Sequence, residues 1–283
     1  MDYKILNNGI QMPVLGFGVC QIENLRECEE VVLKAIENGY RLIDTASIYH
    51  NEEAVGKAIK RSEVPREELF ITTKLWAHFN SYEQAKEEFN SSLQKLGLEY
   101  IDLYLIHRPV GDYYGAWRAL TELYKEGKIR AIGVSNFYND RLVDLLMHQE
   151  IKPVVNQIQC HPFMQRKSEY QILKEYDIQM QCWSPFAVGK NNIFRNELLT
   201  KLAKKHNKTT AQIILRWHIQ RGCVVIPKSV HERRMKENME IFDFSLSQEE
   251  MNQIETLDTT EVGNITKESD YRLESLYRVF GTK

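Results

Sequence analysis

The chain predicts an α/β fold, a (β/α)8 TIM barrel with an N-terminal β-hairpin and extra C-terminal helices, built as a single domain over residues 1–283. Three observations lead there. Strand-like and helix-like segments alternate about eight times, the count that closes a parallel barrel. The strand-like segments are near-continuous apolar runs, as expected where both faces are buried. Polar or titratable residues then recur where those runs end: Asp44 in RLID, Lys74 in LFITTK, His107 in IDLYLIH and Ser135 in IRAIGVS. A barrel of this kind assembles its active site from many strand ends.

The elements follow in order. YKIL, Asn7-Asn8-Gly9 and IQMP read as a hairpin, because Asn-Gly between short apolar runs favours the tight turn; it is expected to cover one end of the domain. VLGFG precedes a helix over 24–38, RLID one over 51–62, LFITTK one over 81–96 and IDLYLIH one over 114–126. IRAIGVS precedes 139–148, VVNQ precedes 167–176, and DIQMQCWS precedes helices over 195–206 and 210–221; CVVIP precedes 231–240. The helices carry apolar stripes at helical spacing, as Val32, Ala35 and Ile36 show. No linker rich in Pro, Gly or Ser divides the chain. The competing architecture, an open doubly wound sheet, calls for Gly-x-Gly-x-x-Gly after an early strand if it binds a dinucleotide. Gly16-Phe17-Gly18 is followed by Val19, Cys20 and Gln21, so the third glycine is missing. There is no P-loop, H-E-x-x-H or G-x-S-x-G.

Bulk properties narrow the function. The 283 residues fit one barrel, and 43% hydrophobic with 27% charged residues is ordinary for a soluble globular protein. A net charge of −2 gives no reason to expect nucleic acid or an anionic membrane as partner. The N-terminus lacks a signal-peptide core, and no stretch approaches the roughly 20 apolar residues of a membrane span. Five cysteines, Cys20, Cys28, Cys160, Cys182 and Cys223, are scattered without a C-x-x-C, which argues against a zinc ribbon or a thioredoxin-type motif and fits a reducing cytosol. The expectation is a cytoplasmic enzyme with no metal. It is a monomer, with a dimer as the alternative.

The strand-end residues suggest a chemistry. A free tyrosine, with a pKa of about 10, is a poor acid at neutral pH. A cation about 4 Å from the phenol favours the phenolate by roughly 4 kcal/mol at an effective dielectric of about 20, enough to bring the phenol towards about 7. Lys74 beside Tyr49 would act this way, with Asp44 offsetting the cost of burying the ammonium. His107 could donate a hydrogen bond that orients a carbonyl oxygen. The set Asp44, Lys74, Tyr49 and His107 suits protonation of a carbonyl while hydride arrives from elsewhere. Taken singly, the Asp–Lys pair is an ordinary structural ion pair, Tyr49 a packing tyrosine and His107 a core histidine; their shared placement makes the case.

These residues lie in a pattern that resembles the aldo-keto reductases, in a bacterial-type, short-loop form. It runs through Gly39-Tyr40-Arg41-Leu42-Ile43-Asp44-Thr45-Ala46, Tyr49, Asn51-Glu52 and Val55-Gly56, then Thr73-Lys74-Leu75-Trp76 and Asp102-Leu103-Tyr104-Leu105-Ile106-His107. It continues through Gly127-Lys128-Ile129-Arg130, Gly133-Val134-Ser135-Asn136-Phe137, Asn156-Gln157, Cys160-His161-Pro162, Trp183-Ser184-Pro185 and Ile226-Pro227-Lys228-Ser229-Val230, with Arg234 and Glu237-Asn238. The motifs are ordered and span nearly the whole chain. The resemblance implies NADPH-dependent reduction of aldehydes or ketones, with Tyr49 as proton donor, Lys74 and Asp44 tuning it and His107 orienting the carbonyl. It implies that Ser135, Asn136 and Gln157 hold the nicotinamide carboxamide, and that Trp183, at a position usually aromatic and often tyrosine, stacks on the ring, with Ser184 beside it. Lys228, Ser229 and Arg234 would hold the adenosine 2′-phosphate, with Asn238 near the adenine. A lysine and an arginine at a loop-to-helix junction suit phosphate, so NADPH is expected over NADH. Glu232 is the contrary signal, since an acid favours a ribose hydroxyl; Arg233, Arg234 and Lys236 are otherwise a solvated face.

The pattern departs in the substrate pocket. Val19 and Cys20 stand where many relatives carry a larger aromatic, the segment from Arg108 to Tyr114 is short, and so is the tail after Gly263. These features imply an open site for small aldehydes, dicarbonyls or keto esters, walled by Cys20, Trp76 and His107, with His78 and Phe79 alongside. Two other functions compete: a cofactor-binding sensor on the same barrel, and a metal-dependent hydrolase using His107 and His161. The intact Asp–Tyr–Lys–His set opposes the first, and the lack of further His and Asp at strand ends opposes the second.

Overall fold

A computed structural model describes residues 2–77 and 81–259. Strands β1 (Tyr3–Ile5) and β2 (Gln11–Pro13) pair as an antiparallel hairpin. Eight parallel strands follow: β3 (Gly16–Gly18), β4 (Leu42–Asp44), β5 (Phe70–Leu75), β6 (Ile101–Ile106), β7 (Ile129–Ser135), β8 (Val155–Gln159), β9 (Gln179–Trp183) and β10 (Val224–Ile226). They lie side by side in chain order. A bridge from Leu15 to Val225, with Gly18 N–H donating to Pro227 O at 3.0 Å, joins the two edges into a nearly closed (β/α)8 barrel.

The helices are α1 (Leu25–Glu37), α2 (Glu52–Arg61), α3 (Tyr82–Leu96), α4 (Tyr113–Lys125), α5 (Asn139–His148), α6 (Lys167–Glu175), α7 (Glu197–His206), α8 (Thr210–Gln220), α9 (Glu232–Met239) and α10 (Gln248–Glu255). Their starts are encoded locally. Asn24, Ser81 and Asn196 each accept a backbone N–H of the first turn, and Thr209 with Gln212 forms a capping box. Gly56 lets α2 lie against the end of α3; a Cβ there would sit 2.3 Å from Leu96 O. Of the extra C-terminal helices, α10 is described; the tail after Gly263, and His78 with Phe79, lie outside the described residues.

Parity along the strands separates support from chemistry. Inside the barrel, Leu42, Phe70, Leu103, Ala131, Val155 and Val224 form an apolar layer towards the strand starts. Two or four residues further on, the same faces carry Asp44, Lys74, His107, Ser135 and Gln157. The alternate residues, such as Ile43, Ile71, Tyr104, Ile132 and Ile158, pack outwards under the helices in the larger core. The lower end is closed twice over. The hairpin packs Leu6 and Met12 onto the apolar layer, and Asn7 and Asn8 donate to Pro153 O, Asp177 O and Arg130 O at 3.0–3.1 Å. Buried Asp102 accepts from Arg66 at 2.6 Å, Arg130 at 2.7 Å and Ile71 N–H at 2.9 Å, tying the starts of β5, β6 and β7 together.

Candidate active site

The upper end opens into a cavity of about 1080 Å³. Of the fourteen other predicted site residues, every one lines it: Cys20, Asp44, Tyr49, Trp76, His107, Ser135, Asn136, Gln157, Trp183, Ser184, Lys228, Ser229, Arg234 and Asn238. Lys74 is fully buried just beneath.

The floor is one hydrogen-bonded network. Lys74 Nζ donates to Asp44 Oδ1 at 2.5 Å and to Thr45 O at 2.7 Å. The other carboxylate oxygen, Asp44 Oδ2, accepts from Gln157 Nε2 at 2.6 Å across the barrel, and Gln157 also meets Gln181 Oε1 at 3.0 Å. The neighbouring turn is held by Asn51, which accepts from Thr45 Oγ1 at 2.7 Å and donates to Val19 O at 3.0 Å. A short 3-10 turn, Ser47–Tyr49, then brings Tyr49 over the network, with the Lys74 ammonium 5.1 Å from its ring centre. His107 stands edge-on to Tyr49 at 5.8 Å and to Trp76 at 5.1 Å between ring centres.

The electrostatics correct one expectation. Burial pushes the Tyr49 phenol well above the ordinary tyrosine range; the Asp44 carboxylate and Cys20 push the same way and Arg108 pulls against them. The net depression expected from Lys74 is outweighed by burial and by the Asp44 carboxylate, to which that ammonium is bound. Tyr49 is therefore a protonated phenol. Burial, with Lys74 and Arg108 nearby, holds His107 well below the ordinary imidazole range, so its ring is neutral at physiological pH. Its Nδ1 is buried without a hydrogen-bond partner among the described residues. Burial likewise raises Asp44, with Lys74 and Gln157 pulling it back.

The side wall continues this order. Asn136 adopts the left-handed conformation at φ 60°, which asparagine tolerates better than other residues with a side chain. There its amide donates to His107 O at 3.0 Å and Ser135 Oγ at 2.9 Å and accepts Trp183 Nε1 at 3.1 Å. Ser135 Oγ donates to Gln157 O at 2.9 Å. The Trp183 indole is thereby fixed as a flat face beside three polar side chains. At the far end of the cavity the basic cluster separates by role. Arg233 pairs with Glu237 at 3.5 Å, and Lys236 pairs with Glu232 at 2.7 Å on the outer surface of α9. Glu232 is thus engaged by Lys236. Lys228 and Arg234 line the cavity and have no carboxylate partner among the described residues. A flat aromatic, amide and hydroxyl groups at one end, and at the other Arg234 with Lys228, which donates only to Gln21 O at 3.5 Å among the described residues, fit an elongated, anionic dinucleotide.

Sequence reasoning missed two contributors. Gln181 sits inside β9, where its partner Gln157 could not be foreseen. Phe186, Val188 and Phe194 come from residues 184–196, between β9 and α7, and roof the cavity. That connection is long against the about 2–6 residues usual in α/β units, which is a signal in itself.

With fold and site in hand, the chain belongs to the aldo/keto reductase family, whose family model matches residues 14–259. It is 53% identical over 261 residues to the glyoxal reductase of Bacillus subtilis strain 168, covering 92% of this chain and 94% of that relative. It is 46% identical to the methylglyoxal reductase DkgA of Escherichia coli K12, covering 89% of this chain and 92% of the relative. Among solved structures, an aldo/keto reductase from Brucella melitensis superposes with a TM-score of 0.87 at 44% identity, covering 91% of this chain and 99% of that one. A Bombyx mori aldo-keto reductase in complex with NADP gives 0.88 at 34% identity, covering 95% and 97%.

Proposed function

We propose that this chain reduces small aldehydes and dicarbonyls, of the glyoxal and methylglyoxal type, to alcohols with NADPH. The observation that carries it is the convergence of a protonated tyrosine, a neutral histidine and a buried ammonium at the floor of one cavity. Supporting it are the relatives' activities and the cavity-lining cations Lys228 and Arg234 at the far end. The cofactor supplies the hydride when bound. The protein's own residues do the rest. His107 and Tyr49 bind the carbonyl oxygen by hydrogen bonds, fixing which carbon faces the nicotinamide end of the cavity. As negative charge grows on that oxygen, the Tyr49 phenol transfers its proton to it. Lys74, within reach of the ring, offsets part of the cost of forming the buried tyrosinate, while burial and Asp44 keep the resting phenol protonated. Asp44 and Gln157 keep the ammonium in place. Ser135, Asn136 and Gln157 would hold the carboxamide, Trp183 the ring with Ser184 beside it, Lys228, Ser229 and Arg234 the 2′-phosphate, and Asn238 the adenine end. Cys20 and Trp76 wall the substrate side.

The test is NADPH oxidation with glyoxal, methylglyoxal, small aldehydes and keto esters, for the wild type and Tyr49→Phe. Loss of a general acid lowers the rate by about 10²–10⁴-fold, and NADPH binding should persist. Wild-type turnover in Tyr49→Phe would sink the proton-donor role, and no oxidation with any carbonyl would sink the activity.

A further inference from the structure

The strand end that carries His107 also carries a charged group for which the reduction of a neutral carbonyl has no use. Arg108 follows His107 directly, is partly buried, and lines the same cavity as Cys20, Tyr49 and Trp76. Its backbone is fixed on both sides. His107 N–H donates to Leu75 O at 3.0 Å, and His107 O accepts the Asn136 amide at 3.0 Å. Arg108 O accepts Val110 N–H at 2.9 Å, and Pro109 disfavours helical backbone at Arg108 itself. Further on, Asp112 caps α4 by accepting Gly115 N–H at 2.8 Å. The guanidinium is therefore carried by a rigid corner between β6 and α4.

That corner sets the charge of the substrate side. Among the described residues, the acids lining the cavity are Asp44 and Glu237. Asp44 is bound to Lys74 and Gln157 in the floor, and Glu237 lies on α9 against Arg233. Tyr49 is protonated and His107 is neutral. The Arg108 charge reaches both: it favours the phenolate of Tyr49 and disfavours the imidazolium of His107. Held partly out of water, such a charge is screened less than one on the open surface. A guanidinium carries five N–H donors in a planar fork, so it can take a ligand's carboxylate alongside a protein contact.

Resting on the carbonyl reduction proposed above, we propose that Arg108 is a specificity-determining residue for carbonyl substrates that carry a carboxylate, which makes small oxo acids a substrate class of this site. The planar fork matches the paired oxygens of a carboxylate. A monoanion also loses less hydration than a phosphate dianion against the apolar walls of Ile48 and Trp76. In the reaction the carbonyl carbon gains a hydride from the cofactor and its oxygen gains the Tyr49 proton. The carboxylate is unchanged and leaves as part of a hydroxy acid. Arg108 holds the remote end of the substrate while His107 and Tyr49 hold the reacting oxygen. Its contact is therefore the same in the ground and transition states, and its effect falls on KM.

The experiment compares each acid with its own methyl ester, so that the charge is what differs: glyoxylate with methyl glyoxylate, and succinic semialdehyde with methyl 4-oxobutanoate, all at saturating NADPH. In Arg108→Gln the acid-to-ester ratio of kcat/KM should fall at least about 10-fold in one or both pairs, through the KM of the acid, as expected for the loss of a hydrogen bond between charged groups. Arg108→Lys keeps the charge without the fork and should fall between. A purely structural role for Arg108 lowers acid and ester together and leaves the ratio where it was. A wild-type measurement needs no variant to fold: rising salt should raise the KM of the acid and leave that of the ester. An unchanged ratio in both pairs, or wild-type KM values for acid and ester that respond alike to salt, overturns the role of Arg108 while ester reduction stands. No turnover of any acid or ester overturns the reduction itself, and this role with it.

Discussion

Replacing Arg234 by alanine isolates what the far end of the cavity recognises. Arg234 lines the cavity, is solvent-exposed and has no carboxylate partner among the described residues. Its removal therefore breaks no ion pair and should leave the fold untouched. A hydrogen bond to a charged group contributes about 1.5–3 kcal/mol, and exposure to water places this one at the lower end, about 1.5–2 kcal/mol. That predicts NADPH binding weakened roughly 10–30-fold. NADH has no 2′-phosphate and should bind the variant as it binds the wild type. Titrating each cofactor while following tryptophan fluorescence gives both constants, since Trp76 and Trp183 both line the cavity. The NADPH difference should shrink at high salt, where a surface contact is screened. Equal weakening of NADPH and NADH would refute the assignment and place Arg234 on a part common to both cofactors.

Two more predictions follow from the same geometry. Because the Tyr49 phenol is raised and the His107 imidazole lowered, Tyr49 stays protonated above the ordinary tyrosine range and His107 stays neutral below the ordinary imidazole range. The reductive kcat/KM should therefore run flat through the region near 6.5 where a free histidine titrates; a limb there that disappears on changing His107 would contradict this. Gly56→Ala places a Cβ 2.3 Å from Leu96 O, against backbone that cannot rotate away. Forcing α2 from α3 should cost at least about 1–3 kcal/mol in urea unfolding, and an unchanged midpoint would show that this contact is slack.

The barrel was legible because its strands are apolar on both faces, so any polar residue at a strand end stands out, as Asp44 and His107 do. Helix limits were legible wherever a cap is local: Asn24 and Ser81 mark their helices within a residue. The sign of the Tyr49 shift was not, since it depends on which oxygen Lys74 faces and on how deeply the phenol is buried, and neither is a property of spacing. The partnership of Gln157 with Asp44 crosses the barrel between residues 113 apart in sequence. Cys160, Cys182 and His218 meet only through the packing of β8, β9 and α8, which is why their scattered spacing gave no hint of a cluster.

The hairpin and the Asp102 clamp have a consequence for how this protein can change. Both secure the floor of the barrel at the strand starts, remote from the mouth. The connections above, such as residues 184–196 and the short link before α4, are therefore spared the task of holding the cylinder shut. Lengthening a flexible loop carries a small entropic penalty, about 0.6 kcal/mol per doubling. Loops at the mouth can thus be exchanged while the foundation, and the hydrogen-bonded floor of Asp44, Lys74 and Gln157 above it, stay in place.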